Sequence, residues 1–224
     1  MVALQKTTTL LRQLLAGPDD SVWREFDTRY RPVLVGVARR AGLPPEDAED
    51  VAQEALVQFV RQYVEGRYDP QRGRVRSWIL AIVRSRAMDA MRARATRREQ
   101  RGSSALIHFP EEPELLQLWE EQCREVVIDR ALRKLREETR LDERTIRAFE
   151  LTALKQRPAT EVASELGLSV DSVYAAKNRC TRQLRELVAQ IGGMYDLDWR
   201  DPPARSHAGG AIRAMCPTLH EVER

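Results

Sequence analysis

The most specific spacing in this chain lies at residues 158–187 and predicts a helix-turn-helix. Ala163 is small, as is needed where two helices cross closely, and Gly167 can take the left-handed conformation at the end of the first helix. Ser169 is a good N-cap for the second helix, which Val173 would pack against the core. Because the second helix of such a motif enters the major groove of DNA, this pattern predicts a DNA-reading surface. An ordinary helical hairpin with a glycine turn is the alternative.

A second surface is basic, because residues 67–101 hold eleven arginines and three acidic residues. Apolar side chains recur at helical spacing from Ser77 onwards, which leaves polar, aromatic and basic side chains on another ridge of the helix. The guanidinium group matches phosphate oxygens in a two-point fork, so an excess of arginine over lysine favours phosphate contact. The ridge is predicted to bind a polyanion, with a solvated charged face as the alternative.

The third surface is acidic, because residues 46–54 hold five carboxylates and no basic side chain. Helical spacing places Asp47, Asp50 and Glu54 near one another, with Gln53 beside them. A metal site is disfavoured there, since no histidine lies nearby and no calcium-loop spacing is present. We therefore expect no metal and interpret the cluster as a docking face for a basic protein partner. A nuclease that holds magnesium with these three carboxylates is the enzymatic alternative.

Helices carry all three surfaces, so the sequence predicts an all-α fold of two small helical domains joined by a flexible linker. One helix is predicted over residues 22–41, where Pro32 should kink or split it, and another begins at Glu46. Residues 66–73 are predicted to form a loop, after which Ser77 caps the arginine-rich helix. The predicted divisions are an N-terminal extension (1–20), a first domain (21–101), a linker (102–113), a second domain (114–191) and a disordered tail (192–224).

The rest of the composition narrows the class of protein. No window approaches the ~18 apolar residues of a membrane span, and the N-terminus lacks the pattern of a secretory signal. Three widely spaced cysteines favour a reducing cytosol, so a cytoplasmic protein with no membrane contact is expected. The absence of a nucleophile elbow, a phosphate-binding glycine loop or an HExxH pair predicts no enzymatic activity and no cofactor. His207, Cys216 and His220 in the tail are too scattered to predict a metal site.

The order of these motifs resembles that of the extracytoplasmic-function (ECF) sigma factors of the sigma-70 family. Four segments resemble the second region of that family: WREF at 23–26, DAEDVAQE at 47–54, RSWILAI at 76–82 and RAMDAMR at 86–92. Three more resemble its fourth region: FEL at 149–151, EVASELGLS at 161–169 and VYAAKNRC at 173–180. The resemblance spans residues 22–187, with the linker of the family between the two blocks.

The resemblance implies a factor that binds core RNA polymerase and directs sequence-specific transcription initiation. Docking on the clamp helices of the largest polymerase subunit would use Asp47, Asp50, Gln53 and Glu54. The minus-10 promoter element would be opened and read by Arg74, Arg76, Trp78, Ser85, Arg86, Asp89, Arg92, Arg97 and Arg98, while the loop 69–76 would hold a flipped-out base. The minus-35 element would be read by Ser172, Tyr174, Ala175, Lys177, Asn178, Arg179 and Arg182. An anti-sigma factor is a candidate partner, and the free chain is expected to be a monomer.

Two departures from the family pattern concern the promoter sequence. The family often has asparagine where this chain has Ser85, and its recognition helix is often more basic than the segment VYAA at 173–176. Because of these differences the resemblance does not indicate which promoter sequence is read, but it still implies a role in promoter recognition. A stand-alone helix-turn-helix regulator is the alternative function, although it gives the acidic and arginine-rich helices no task.

Overall fold

The computed structural model describes residues 7–16, 20–69, 74–99, 109–137 and 141–195, and the regular elements within these ranges are helices. They are α1 (Thr7–Ala16), α2 (Asp20–Arg40), α3 (Pro45–Val64), α4 (Val75–Glu99), α5 (Glu112–Glu137), α6 (Glu143–Phe149), α7 (Ala159–Leu166) and α8 (Val170–Gly192). A π-helical turn, Glu150–Leu154, extends α6, and a 3-10 turn, Gly193–Tyr195, follows α8. The predicted all-α fold class is confirmed. Most of the predicted linker, and the tail with His207, Cys216 and His220, lie outside the described residues.

The chain divides into two compact units, and the division falls inside α5, between Cys123 and Arg124. The first half of α5 therefore belongs to the unit that contains α1 to α4, and its second half to the unit that contains α6 to α8. The linker predicted at residues 102–113 precedes this division. The functional boundaries of the two domains stay a prediction.

The core of the first unit forms where the apolar faces of α2, α3 and α4 meet. Phe26 of α2 stacks on Phe59 of α3 with ring centroids 5.4 Å apart, and Leu80 of α4 is fully buried. Burying each side chain of this size contributes about 1.5–3 kcal/mol to stability. Leu10 and Leu14 of α1 are buried as well, where α1 packs on α2 and α3. This packing fixes α3 beside α4, and these two helices carry the acidic and arginine-rich surfaces.

Two helices of the first unit differ from what the sequence predicts: α2 at its proline and α4 at its first residue. Helix α2 is not split at Pro32, because Pro32 faces solvent while Val33 and Leu34 beyond it are fully buried and hold the helix in the core. The predicted cap at Ser77 is wrong, since α4 already begins at Val75. The carbonyl of Arg74 accepts the Trp78 N–H at 3.3 Å, so Ser77 lies within the first helical turn.

In the second unit, α7 and α8 form the helix-turn-helix that the sequence predicts. Gly167 ends α7 with a φ of 63°, in the left-handed region that glycine favours. Ser169 caps α8, and its Oγ accepts the backbone N–H of Ser172 at 3.1 Å. Ala163 and Val173 are both buried in the cluster that joins the two helices. The predicted roles of Ala163, Gly167, Ser169 and Val173 are confirmed.

The chain reaches this motif through α6 and an irregular turn. Asp142 caps the start of α6, and hydrogen bonds from the Thr145 hydroxyl and backbone N–H lower the pKa of the Asp142 carboxyl. After the π-helical turn, Gln156 has a φ of 55°, a left-handed conformation that L side chains adopt with strain. The turn therefore stores a small conformational cost immediately before α7.

Candidate nucleic-acid interfaces

The predicted reading surface of the helix-turn-helix lies on the solvent side of α8. Val173, Ala176 and Cys180 are buried against the rest of the unit, so the positions between them face outward. Tyr174 is 53% exposed, which places a large aromatic ring in water near the start of the helix. Apart from half-buried Lys177, the predicted residues are all exposed: Ser172, Tyr174, Ala175, Asn178, Arg179 and Arg182. The structure thus leaves this side of α8 accessible to a ligand.

The opposite side of α8 is held to α6 by Cys180. Its Sγ lies 3.8 Å from the Thr145 carbonyl oxygen, to which the thiol donates. Burial raises the pKa of the Cys180 thiol to about 11, so the thiol stays protonated at neutral pH. Cys180 therefore packs the recognition helix in place.

Three of the predicted minus-10 residues are exposed along one face of α4. Ser85, Asp89 and Arg92 follow one another at intervals of one helical turn. Arg92 Nη1 lies 3.2 Å from Asp89 Oδ1, and an exposed pair of this kind contributes only about 0.2–1 kcal/mol. Arg92 can therefore exchange this partner for a phosphate at little cost. Arg74 is exposed just before the helix begins, whereas the side chains of Arg97 and Arg98 lie outside the described residues.

Three other residues predicted for this surface already take part in packing. Arg86 Nε donates to Gln58 Oε1 at 2.8 Å and so connects α4 to α3. Arg76 Nη1 lies 3.3 Å from Glu120 Oε1 of α5. Trp78 is half-buried. These side chains lie at the edge of the exposed face, with part of their polar or aromatic surface occupied by the protein itself.

The ring of Tyr68 joins this region, although sequence reasoning did not single it out. Tyr68 stacks on Trp78 with centroids 5.5 Å apart and lies 5.8 Å from Tyr63. Trp78 in turn meets Phe59 edge-on at 5.2 Å, and burial raises the pKa of Tyr63. The four rings connect the end of α3 to the start of α4. The one-turn spacing of Phe59 and Tyr63 is a sequence signal for part of this row, but Tyr68 lies in a loop whose place depends on tertiary contacts.

The residues of the predicted acidic cluster lie in two different surroundings. Asp50, Gln53 and Glu54 line one part of an open groove of about 750 Å³ along α3, whose lining also includes Arg61, Glu65, Arg67 and, from α4, Arg86. Asp47 faces α4 instead, where its Oδ2 lies 2.6 Å from Arg94 Nη1. Three of the four predicted docking residues are therefore together, and the fourth joins α3 to α4. Within the part of the chain that the structure describes, no group of His, Cys, Asp and Glu side chains is arranged to hold a metal ion.

Comparison with known proteins identifies a domain in the first unit and a relative of the whole chain. The model of the sigma-70 region 2 family matches residues 26–97, from α2 through α4. Over 178 residues the chain is 26% identical to the ECF RNA polymerase sigma factor RpoE of Cereibacter sphaeroides, and the alignment covers 79% of this chain and 92% of that relative. The chain therefore contains a sigma-70 region 2 domain and is similar over most of its length to an ECF sigma factor.

The region 2 match includes both surfaces of the first unit, since residues 26–97 contain the groove of α3 and the exposed face of α4. The chain is also similar to a solved chain from the structure of CnrH in complex with the cytosolic domain of CnrY. That similarity amounts to 23% identity and a TM-score of 0.33, over 81% of this chain and 96% of the other. None of the described helices is long and apolar enough to cross a membrane.

Proposed function

We propose that this chain is an ECF sigma factor, which binds core RNA polymerase and directs initiation at promoters that it reads at two elements. The observation that carries the proposal is the region 2 match across α2 to α4, which coincides with a groove that exposes Asp50 and Glu54 and with an exposed arginine-bearing face in one unit. The second unit adds a capped helix-turn-helix. The first unit would serve the polymerase and the minus-10 element, and the second the minus-35 element.

Docking on the polymerase is assigned to the exposed side of α3. Asp50, Gln53 and Glu54 offer carboxylate and amide oxygens to a donor-rich partner, for which the clamp helices of the largest subunit are the candidate. Complementary charge of this kind raises the rate of association and fixes the register of the complex. Asp47 contributes through its ion pair with Arg94, which holds α3 against α4.

Reading of the minus-10 element is assigned to α4 and the residue before it. Arg74 and Arg92 are exposed and can neutralise phosphates, while Ser85 and Asp89 can hydrogen-bond to the edges of bases. The row of rings that includes Trp78 supplies a surface on which an unpaired base can stack. The remaining residues assigned to this element are Arg76, Arg86, Arg97 and Arg98.

Reading of the minus-35 element is assigned to α8. A recognition helix presents its N-terminal residues to base edges in the major groove, and Ser172, Tyr174 and Ala175 occupy that part of α8. Asn178 can make two hydrogen bonds to an adenine edge, and Arg179 can bind a guanine edge or a phosphate. Lys177 and Arg182 complete the set.

These roles require two kinds of partner and no cofactor. Core polymerase and promoter DNA are the two working partners, and an anti-sigma factor is a third candidate. In these roles the chain performs no catalytic step, since the polymerase performs the chemistry of transcription.

Run-off transcription with purified core polymerase and genomic promoter fragments tests the proposed function. The sigma factor is expected to co-purify with core polymerase and to produce discrete transcripts that core polymerase alone does not. A chain that binds DNA but never binds core polymerase would be a stand-alone helix-turn-helix regulator instead. Magnesium-dependent DNA cleavage that is lost in Asp50→Ala would favour the nuclease alternative.

A further inference from the structure

Residues 111–123, at the start of α5, lie across α2 and α4 of the first unit, and we name this segment the α5 strap. Three carboxylates of the strap pair with three arginines: Arg84 Nη2 with Glu111 Oε1 at 2.6 Å, Arg76 Nη1 with Glu120 Oε1 at 3.3 Å, and Arg40 Nη1 with Glu121 Oε2 at 2.7 Å. Residue numbers fall along the strap as they rise along α4, so these two segments run antiparallel. The pairs hold the strap at both of its ends.

Aromatic and steric contacts fit the strap closely to α2. Trp119 is only 4% exposed and stacks on Tyr30 with ring centroids 5.8 Å apart. The buried amide of Gln122 lies directly over Gly36, where an added Cβ would be 1.7 Å from Gln122 Oε1. Glycine is disfavoured inside a helix, so its presence in α2 is consistent with a need for this close approach.

Two of these arginines have a hydrogen-bond donor to which the strap offers no acceptor. The Nε atoms of Arg76 and Arg84 are buried, and in the described part of the chain neither has a hydrogen-bond partner. A buried donor without a partner is unfavourable, and an arginine can use its Nε and Nη donors together on one phosphate or carboxylate. Each arginine could therefore form a better pair with another anion than with the strap.

We propose that the α5 strap is an internal competitor of DNA, which covers a phosphate-binding strip formed by Arg40, Arg76 and Arg84. The inference rests on the proposed function, in which α4 faces promoter DNA. The carboxylates of the strap occupy the positions at which backbone phosphates would bind, and release of the strap would end all three of these ion pairs. DNA binding by the chain is therefore weakened for as long as the strap is docked.

A steric variant releases the strap without changing the net charge. Flexible Gln122 would rotate away from an alanine, so Gly36→Leu is the variant of choice, and Gly36→Leu with Gln122→Ala restores the space. Hydrogen exchange of the amides at 112–123 should quicken in Gly36→Leu and slow again in the double variant. Affinity of the full chain for a short fluorescein-labelled single strand of mixed sequence should rise by roughly threefold to thirtyfold, as expected when a few surface ion pairs stop competing. The double variant should return to the wild-type affinity.

A charge variant tests the ion pairs themselves. Glu111, Glu120 and Glu121 are changed together to Gln, and the matched control changes three exposed glutamates of α5 outside these pairs, Glu112, Glu114 and Glu137. Both variants alter the net charge equally. Only the first should gain roughly threefold or more in affinity, with a salt dependence steeper by up to ~0.7 for each new phosphate contact.

The outcomes separate this inference from the proposed function. Two results overturn the strap as a competitor of DNA. One is an equal gain in DNA affinity in both charge variants, and the other is no gain in DNA affinity in the charge variants or in Gly36→Leu. A chain that supports run-off transcription while its strap variants bind DNA like the wild type overturns the inference alone. A chain that fails to bind core polymerase, while strap release raises its DNA affinity as expected, overturns the proposed function alone.

Discussion

At the residue scale, the short side chain of Ser85 occupies the exposed face of α4 that is assigned to the minus-10 element. A hydroxyl offers one donor and two lone pairs, whereas an asparagine amide offers two donors and a carbonyl. We predict that Ser85→Asn changes which base is preferred at one minus-10 position. The free-energy difference between the preferred base and the others should change by about 1–3 kcal/mol, which is the discrimination that a two-point contact to a base provides. Run-off transcription from promoters varied at each minus-10 position measures this preference. Ser164→Asn, on the exposed side of α7, is the control, and an unchanged preference in Ser85→Asn would place base reading elsewhere.

Gln156 has a backbone conformation that is unfavourable for a residue with a side chain. Its φ of 55° costs a non-glycine residue about 1–2 kcal/mol, and part of that cost is offset by the Nε2 donation to the Ala153 carbonyl at 2.7 Å. Gln156→Gly is therefore predicted to stabilise the second unit by about 0.5–1 kcal/mol, seen as a higher urea midpoint of the full chain. Lys155→Gly is the control, because its φ of −93° needs no glycine and the variant should lose stability. A lower midpoint for Gln156→Gly would mean that the amide contact outweighs the strain.

At the element scale, the helix-turn-helix could be predicted because its determinants are local. Gly167 and Ser169 act on the two backbone ends they adjoin, so their types alone indicate where α7 ends and α8 begins. The start of α4 was harder to predict, because a serine that can cap a helix can equally lie inside its first turn. Periodicity located that helix, but only the Arg74 carbonyl bond to Trp78 shows where it begins.

Other features of the elements depend on contacts far apart in sequence and could not be predicted. Trp119 of the strap is buried against Tyr30, and neither residue has a local pattern that names the other. Asp47 shares its helical face with Asp50, yet it turns to Arg94 because α4 packs beside α3. Gly36 offers a sequence signal for the contact with Gln122, since a glycine inside a helix often marks a close approach.

The recognition helix as an element is tested by removing one of its charges. Arg179 is exposed on the solvent side of α8, so Arg179→Ala should leave the fold unchanged. We predict weaker binding to minus-35 DNA, by about 1–3 kcal/mol if the guanidinium reads a base, or a salt slope smaller by ~0.9 if it binds a phosphate. Lys155→Ala removes the same charge from an exposed turn and is the control. Equal binding of wild type and Arg179→Ala at every salt concentration would remove this residue from the interface.

At the scale of the whole molecule, a formal net charge of +3 conceals surfaces of opposite sign. Asp50 and Glu54 are exposed near the middle of α3, while Arg74, Arg92 and the arginines of α8 are exposed on other helices or loops. Such segregation suits a protein that joins two partners at once, one basic and one polyanionic. Charge also acts within the molecule, because carboxylates of the strap pair with arginines that would otherwise extend the basic surface.

Polymerase docking is the property of the whole molecule that the exposed carboxylates of α3 predict. Reversal of two exposed charges, Asp50→Lys with Glu54→Lys, should weaken binding to core polymerase at least about tenfold, because like charges then face each other across the interface. Circular dichroism should show an unchanged fold, since neither side chain is buried. Glu112→Lys with Glu114→Lys makes the same charge change on α5 and should bind core polymerase like the wild type. An equal loss in both pairs would attribute the effect to net charge and leave α3 without a docking role.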